Sequence, residues 1–285
     1  MPRPSRSRLF LPLGLMLLWL SPAGAAELFY LGQRIPDIHK PWRSHDYRQL
    51  REALEKVDST QANALPRRSG EFTGPIYQRM VSAENFRPQL NIYSPLELRQ
   101  NEAREVLFEL KELMRLYFDF RAKQQPYAAE ALGLMSYSLR QQAILFTLTT
   151  EFWMTLSQGE QSNPVRLQGL QETKAAAAML SGSALDYLEL TQAFGRDELL
   201  LYSVELSQQL PELFVHLPVD VQGQLLTRIE DIATHHRYPQ VGQDMAALLP
   251  VLQMIHQDVQ SKLSQSVKPA SKAPVLDLSA PSSLQ

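Results

Sequence analysis

Six histidines are the side chains of this sequence best suited to acid–base catalysis or to metal binding, and they lie at positions 39, 45, 216, 235, 236 and 256. Asp231 and His235, or Glu212 and His216, would share a face of a helix because residues four apart are neighbours. Such pairs are common by chance, and neither the Glu-x-x-His pairs of di-iron bundles nor the His-Glu-x-x-His zinc motif occurs. We therefore predict no metal site, and we interpret these histidines as surface residues or helix-end cations.

Glu105, Glu109 and Glu112 form an acidic row at positions i, i+4 and i+7. A row of carboxylates inside a helical bundle can bind metal or serve as acid and base. The apolar residues of the same segment repeat mainly on a different face, so we predict that this row is a solvated acidic surface.

The sequence offers no motif for covalent catalysis or for a cofactor. It contains no cysteine, which excludes thiol nucleophiles, disulfides and cysteine-ligated metals. The Gly-x-Ser-x-Gly turn of hydrolases and the glycine-rich phosphate loops are absent. We predict no catalytic residue and no cofactor. An enzyme whose site is assembled from scattered residues is the third of three functional hypotheses.

Large apolar side chains in one predicted helix could line a cavity for an apolar ligand. The candidates are Phe146, Phe152, Trp153 and Met154. Ligand pockets are lined mainly by such residues, although a stripe of this kind is also typical of a plain core. The second hypothesis is therefore a carrier or sensor of an apolar small molecule.

The start of the predicted mature chain is densely apolar, and an exposed apolar patch often marks an interaction site. Leu28, Phe29 and Tyr30 follow one another, and Trp42 lies a short distance beyond them. These four residues either pack along the helical domain or dock onto a partner. Docking is part of the first hypothesis, in which the chain binds another macromolecule through a helix face or groove.

Charge argues against nucleic acid as that partner. The formal net charge is −2, whereas nucleic-acid-binding domains are usually basic. Two small basic clusters occur, Arg67-Arg68 and the Lys40–Arg43 stretch around Trp42. We interpret both as solvated loop residues that make at most a minor phosphate or peptidoglycan contact.

The first residues read as an export signal. Three arginines precede an apolar run over residues 9–20 and a small-residue stretch that ends at Ala26, which is the three-part pattern of a cleaved signal peptide. Removal of the three arginines from the 28 basic residues leaves 25 against 30 acidic residues, a net charge of −5. We predict a periplasmic or secreted protein, with no transmembrane segment after cleavage and with an envelope protein as its partner.

The helices that must position any site follow from apolar residues at i, i+3, i+4 and i+7. We predict an all-α long-helix bundle with helices over 95–123, 127–157, 164–194 and 197–209 and two more that begin at Pro218 and Pro239. Antiparallel, solenoid-like hairpins are an alternative for the C-terminal part. Pro211 should interrupt one helix, and Pro250 should kink or divide another. No strand is predicted, because hairpin turns of the Asn-Gly or Asp-Gly type are absent.

The predicted organisation has four parts. They are a cleaved signal peptide over 1–26, an irregular N-terminal segment over 27–93 with one or two short helices, a helical domain over 94–265 and a disordered tail over 266–285. The most favoured function is that of an exported helical binding or scaffold protein, because an export signal accompanies long helices and no catalytic constellation.

Overall fold

A computed structural model describes residues 28–37, 39–58, 65–122 and 127–266. The predicted signal peptide and residues 267–285 of the predicted tail lie outside this part of the chain. The described residues are mainly helical, and this confirms the predicted all-α class.

A small hairpin precedes the helices, so the prediction that no strand would form was wrong at this point. Its strands β1, Leu28–Tyr30, and β2, Gln33–Ile35, pair antiparallel. Leu31 and Gly32 connect them with φ angles of 50° and 76°, and both residues of a tight two-residue hairpin turn need such left-handed values. Leu31 therefore occupies a conformation that a branched side chain rarely adopts, which is why the usual turn signal was missing.

The helical part begins before the predicted domain boundary and continues to the end of the described chain. Its members are α1 (Ser44–Leu54), α2 (Gly74–Met80), a short 3-10 turn (Ala83–Phe86), α3 (Arg87–Leu90), α4 (Leu96–Ala122), α5 (Ala128–Thr155), α6 (Gln158–Gln161), α7 (Pro164–Glu189), α8 (Arg196–Phe214), α9 (Val219–His235) and α10 (Pro239–Ser266). Asn163 caps α7 as its sequence predicts, since its Oδ1 accepts a hydrogen bond from the Val165 amide at 2.9 Å. None of the described helices is both long and apolar enough to span a bilayer.

Two prolines lie inside helices that continue through them, so Pro211 does not interrupt its helix as predicted and Pro250 does not divide its helix, whereas a kink at Pro250 stays a prediction. Pro211 lies within α8 and Pro250 within α10. A helical proline leaves the carbonyl four residues earlier without its usual donor. At Pro250 both the proline and Ala246 are exposed, so water can hydrate that carbonyl and the helix need not end.

Helix α5 is the central element, as predicted from its nearly all-round apolar sequence. One set of its side chains joins a hydrophobic cluster with α1, α2 and α4. Another set joins a second cluster with α7, α8, α9 and α10. Helices α4 and α7 therefore both pack on α5, and the space between these three helices is set by the side chains that α4 and α7 contribute.

The N-terminal segment packs into the first cluster. Trp42 and Tyr47 are almost fully buried there. The Tyr117 hydroxyl of α4 donates to the Pro66 carbonyl at 2.6 Å, and the Tyr127 hydroxyl accepts from the Leu65 amide at 2.9 Å. The residues before α4 are thus tied to the helical domain by buried hydrogen bonds as well as by apolar contact.

Candidate functional site

A groove runs between α4 and α7 above α5, and we call it the α4–α7 groove. Its volume is about 410 Å³, within the range of small-molecule sites. Its lining residues are Arg104, Leu107, Phe108 and Lys111 of α4, Gln142 and Leu145 of α5, and Gly169, Glu172, Thr173 and Ala176 of α7. The groove is open because α7 presents mainly small residues to it.

The floor of the groove carries a buried amide with no partner. Gln142 is 0% exposed, and neither its Nε2 nor its Oε1 has a hydrogen-bond partner. Burying a polar group without a partner costs about 1–3 kcal/mol. The neighbouring Gln141 is partly satisfied, because its Nε2 donates to Gln89 Oε1 at 2.7 Å and to the Ala103 carbonyl at 3.0 Å, although its Oε1 also has no partner. Gln142 lines the groove but is fully covered, so a bound ligand reaches its amide and supplies the missing partners only when the covering side chains move aside.

The α4 side of the groove is cationic and apolar. Lys111 is half-buried, and burial lowers the pKa of its ammonium group. No described residue forms an ion pair or a hydrogen bond with it. Arg104 adds a second cation at the exposed rim, and Phe108 is 57% exposed beside them.

The opposite wall adds one negative charge. Glu172 of α7 is exposed, and it accepts a hydrogen bond from Gln168 Nε2 at 2.8 Å. The lining thus holds two cations and one carboxylate, so an acidic ligand has the complementary charge.

Replacing Gln142 by methionine should stabilise the protein. The substitution keeps the length of an unbranched side chain and removes an unpaired buried amide, so we expect a gain of about 1–2 kcal/mol in the free energy of unfolding. Urea denaturation measures it. Gln141→Met is the matched control and should have the opposite sign, since it removes two hydrogen bonds. Equal loss of stability in both variants would contradict the unpaired state of Gln142.

The predicted docking residues are placed differently from one another. Trp42 is 1% exposed, its amide donates to Asn85 Oδ1 at 2.9 Å, and its ring lies 5.2 Å from that of Tyr47. Tyr30 is partly buried against the core, and burial raises its pKa to about 12. Leu28 pairs with Ile35 through the hairpin backbone, and its side chain lies outside the described residues. Phe29, at 59% exposure, is the member that presents a large apolar surface.

The predicted apolar-ligand residues do not line the α4–α7 groove. Phe146 is buried and stacks on His216 with ring centroids 4.9 Å apart. Phe152 lies beneath Arg166, whose guanidinium carbon is 5.8 Å from the ring centroid. Trp153 is half-buried and Met154 is 75% exposed. These four side chains thus have separate surroundings, and a shared ligand cavity for them stays a prediction.

The histidines also have separate partners. Burial lowers the pKa of His216, and its Nε2 lies 3.2 Å from Thr147 Oγ1. His235 lies 2.9 Å from Asp231 on an exposed face, and His256 contacts Gln222 at 3.0 Å. Among the described residues, no group of three or more histidine and acidic side chains is placed to hold a metal ion.

The acidic row is not uniformly solvated, so that prediction was wrong for its central member. Glu109 is 1% exposed, and its two oxygens accept from Arg48 Nε at 3.0 Å and Arg51 Nε at 2.7 Å. Both arginines belong to α1, which packs across this face of α4. Glu109 is therefore part of a salt bridge between two elements, and it is not available to a metal or substrate.

Arg68 was also predicted to be a solvated loop residue, and the structure corrects this. Its Nη1 forms an ion pair with Glu205 of α8 at 2.8 Å, and its amide donates to Glu130 of α5 at 2.7 Å. Its guanidinium carbon also lies 5.6 Å from the centre of the Tyr77 ring. Arg68 thus fastens the loop before α2 to the helical domain.

Sequence reasoning missed Gln142 and Lys111. A signal for Gln142 was present, because two glutamines interrupt an otherwise apolar stretch of the central helix. Lys111 gave no such signal, since a lone lysine between apolar positions of an amphipathic helix is ordinary. Its desolvation depends on α7, which is distant in sequence.

Known proteins give no further guide. No protein-family model matches this chain, and comparisons with curated proteins and with solved structures give no significant match.

Proposed function

We propose that this chain is an exported binding protein without catalytic activity, and that its α4–α7 groove holds an extended segment of a partner protein of the cell envelope. The unpaired, fully buried amide of Gln142 at the groove floor carries this proposal. The basic, apolar and small-residue start of the chain supports export.

A peptide backbone is the ligand group that best complements Gln142. The primary amide of glutamine has an NH₂ group that donates and a carbonyl oxygen that accepts. A peptide unit has one N–H donor and one carbonyl acceptor. An extended segment can therefore satisfy Nε2 and Oε1 together, which a purely apolar ligand cannot do. Since each missing hydrogen bond is costly when buried, pairing this amide favours the bound state.

The side chains that line the groove determine which residues of the partner segment fit there. Leu107, Phe108 and Leu145 provide apolar contact for one side chain of the partner. Lys111, which has lost part of its hydration, gains a charge-assisted hydrogen bond when an aspartate or glutamate approaches. The preferred segment thus combines an apolar residue with a nearby acidic one.

Peptide display on the full chain tests this proposal. We would select random twelve-residue peptides displayed on phage and measure the affinity of the enriched peptides by fluorescence polarisation. Gly169→Trp should lower that affinity at least about ten-fold, equivalent to about 1.4 kcal/mol. A Cβ atom added at Gly169 would meet no atom within 4 Å, and Gly169 lines the groove, so we expect the indole ring to fill the groove without disturbing the core.

Three further variants sharpen the test. Gly223→Trp is the matched control, since it also adds a ring at a helical glycine with open space, and it should leave the affinity unchanged. Lys111→Glu should weaken acidic peptides selectively, and Gln142→Met should weaken binding while it stabilises the fold. Enriched peptides that lack an acidic–apolar pattern, or that bind Gly169→Trp as well as the wild type, would refute the proposal.

A further inference from the structure

A second pocket lies beside the N-terminal segment, and we call it the Trp42 pocket. It has a volume of about 240 Å³ and is formed where the residues after the hairpin meet α2 and the 3-10 turn. Its lining residues are Asp37, Lys40, Trp42, Pro75, Gln78, Arg79, Ser82 and Asn85. It shares no residue with the α4–α7 groove.

Two buried donors of this pocket have no acceptor. Trp42 is 1% exposed, and its indole Nε1 has no hydrogen-bond partner. The Nε of Arg79 is likewise buried and unpaired. An indole nitrogen and a guanidinium nitrogen can only donate, so a ligand that completes this site must bring acceptors.

The other polar groups of the pocket do not supply an acceptor for Trp42 Nε1 or Arg79 Nε. Arg79 Nη1 donates to the Pro36 carbonyl at 3.0 Å, and no described carboxylate forms an ion pair with Arg79 or Lys40. Asn85 is already engaged, since its Oδ1 accepts from the Trp42 amide and its Nδ2 donates to the Arg79 carbonyl at 2.7 Å. The pocket thus presents an indole donor and the guanidinium of Arg79, which hydrogen bonds to Asn85 and to the Pro36 carbonyl hold in place, and the exposed ammonium group of Lys40.

One carboxylate balances these donors. Asp37 lines the same pocket, and its Oδ1 accepts from the His39 amide at 3.2 Å. A carboxylate has a second oxygen and further lone pairs, so Asp37 can still accept from a ligand. Its negative charge opposes a multiply charged anion such as phosphate.

We infer that the Trp42 pocket is a separate binding site for a small monocarboxylate that carries a neighbouring hydroxyl or ammonium group. The ligand carboxylate accepts from Trp42 Nε1 and Arg79 Nε, and Lys40 contributes charge at the entrance. The neighbouring hydroxyl or ammonium donates to Asp37. Hydroxy acids and amino acids belong to this class.

Calorimetric titration of the full chain with lactate, alanine, acetate and inorganic phosphate tests this inference. We expect saturable binding of lactate or alanine with a dissociation constant in the millimolar range or below, and weaker binding of acetate, which lacks the second group. Arg79→Gln and Lys40→Glu should each weaken the binding at least about ten-fold. Arg87→Gln is the matched control, because Arg87 is exposed and pairs with Glu84 outside the pocket, and it should change nothing.

Tryptophan fluorescence tests whether the ligand binds next to Trp42. The chain has three tryptophans, so Trp19→Phe combined with Trp153→Phe leaves Trp42 as the emitter, and its emission should change with the same midpoint as the calorimetric signal. If Arg79→Gln fails to fold, Lys40→Glu provides the test, because Lys40 is exposed and its replacement should not affect folding. Absence of saturable binding, binding of phosphate alone, or binding that survives both substitutions would overturn the inference. Gly169→Trp should leave this binding intact, which separates it from the function proposed for the groove.

Discussion

Replacing Glu109 by alanine should lower the free energy of unfolding by about 2–3 kcal/mol. Removing one partner of a buried ion pair typically costs about 3–5 kcal/mol, because the other charge is left without compensation. Here the remaining charges are Arg48, whose side chain is 44% exposed, and Arg51, which is 16% exposed. Arg51 also keeps its contact with Glu55 at 2.7 Å, and solvent reaches Arg48, so we place the loss at or just below the lower end of that range.

Urea denaturation of Glu109→Ala and Glu105→Ala measures this effect with an internal control. Glu105 lies one turn away on α4 and also contacts Arg48, at 3.4 Å, but its side chain is 55% exposed. Exposed ion pairs contribute about 0–1 kcal/mol, so Glu105→Ala should alter stability very little. Similar losses in the two variants would mean that the burial of Glu109 between α1 and α4 is not what makes it important.

Replacing Gly133 by alanine should destabilise the protein by about 2 kcal/mol, although alanine is the better helix former. A Cβ atom at Gly133 would lie well inside van der Waals contact of Arg68 Nη2 and Tyr77 Oη. Tyr77 is buried and donates to the Glu130 carbonyl at 2.9 Å, so it cannot move aside without losing a hydrogen bond. Overpacking at such a contact costs about 1–3 kcal/mol, and the loss of the Tyr77 hydrogen bond keeps the cost above the roughly 1 kcal/mol gained in helix propensity.

Gly169→Ala provides the opposite case. Gly169 is exposed within α7, and an added Cβ meets nothing within 4 Å. We expect a gain of about 0.5–1 kcal/mol from the reduced freedom of the unfolded chain. Thermal and urea denaturation should therefore show a lower free energy of unfolding for Gly133→Ala and a higher one for Gly169→Ala. If both alanine variants were more stable than the wild type, Arg68 and Tyr77 would be able to move away from α5 at little cost.

These two expected results concern one structural question, namely how the N-terminal segment is attached to the helices. Glu109 fastens α1 to α4, and Gly133 leaves space for Arg68 to reach Glu205 of α8. The Trp42 pocket lies within the same attached segment. Loss of either attachment should therefore also weaken ligand binding in that pocket, whereas the α4–α7 groove needs only α4, α5 and α7.

The sequence by itself determined the helical class and the approximate position of most helices. Apolar residues repeat with the period of a helix, and local signals such as Asn163 followed by Pro164 mark where a helix begins. Such features act within a few residues, so they can be read from the chain without knowing its neighbours. The two-residue hairpin turn at Leu31 and Gly32 escaped because a leucine seldom adopts a positive φ.

The tertiary structure alone decided which polar residues are buried and with what partners. Glu109 is covered because arginines 61 and 58 positions earlier pack across it, and Arg68 pairs with Glu205, 137 positions away. Gln142 and Lys111 became candidate ligand contacts because α7 leaves a groove beside them. Helical periodicity tells which face is apolar, but the burial of a polar side chain depends on segments that are distant in sequence. For that reason the helices could be predicted, and the groove and the Trp42 pocket could not.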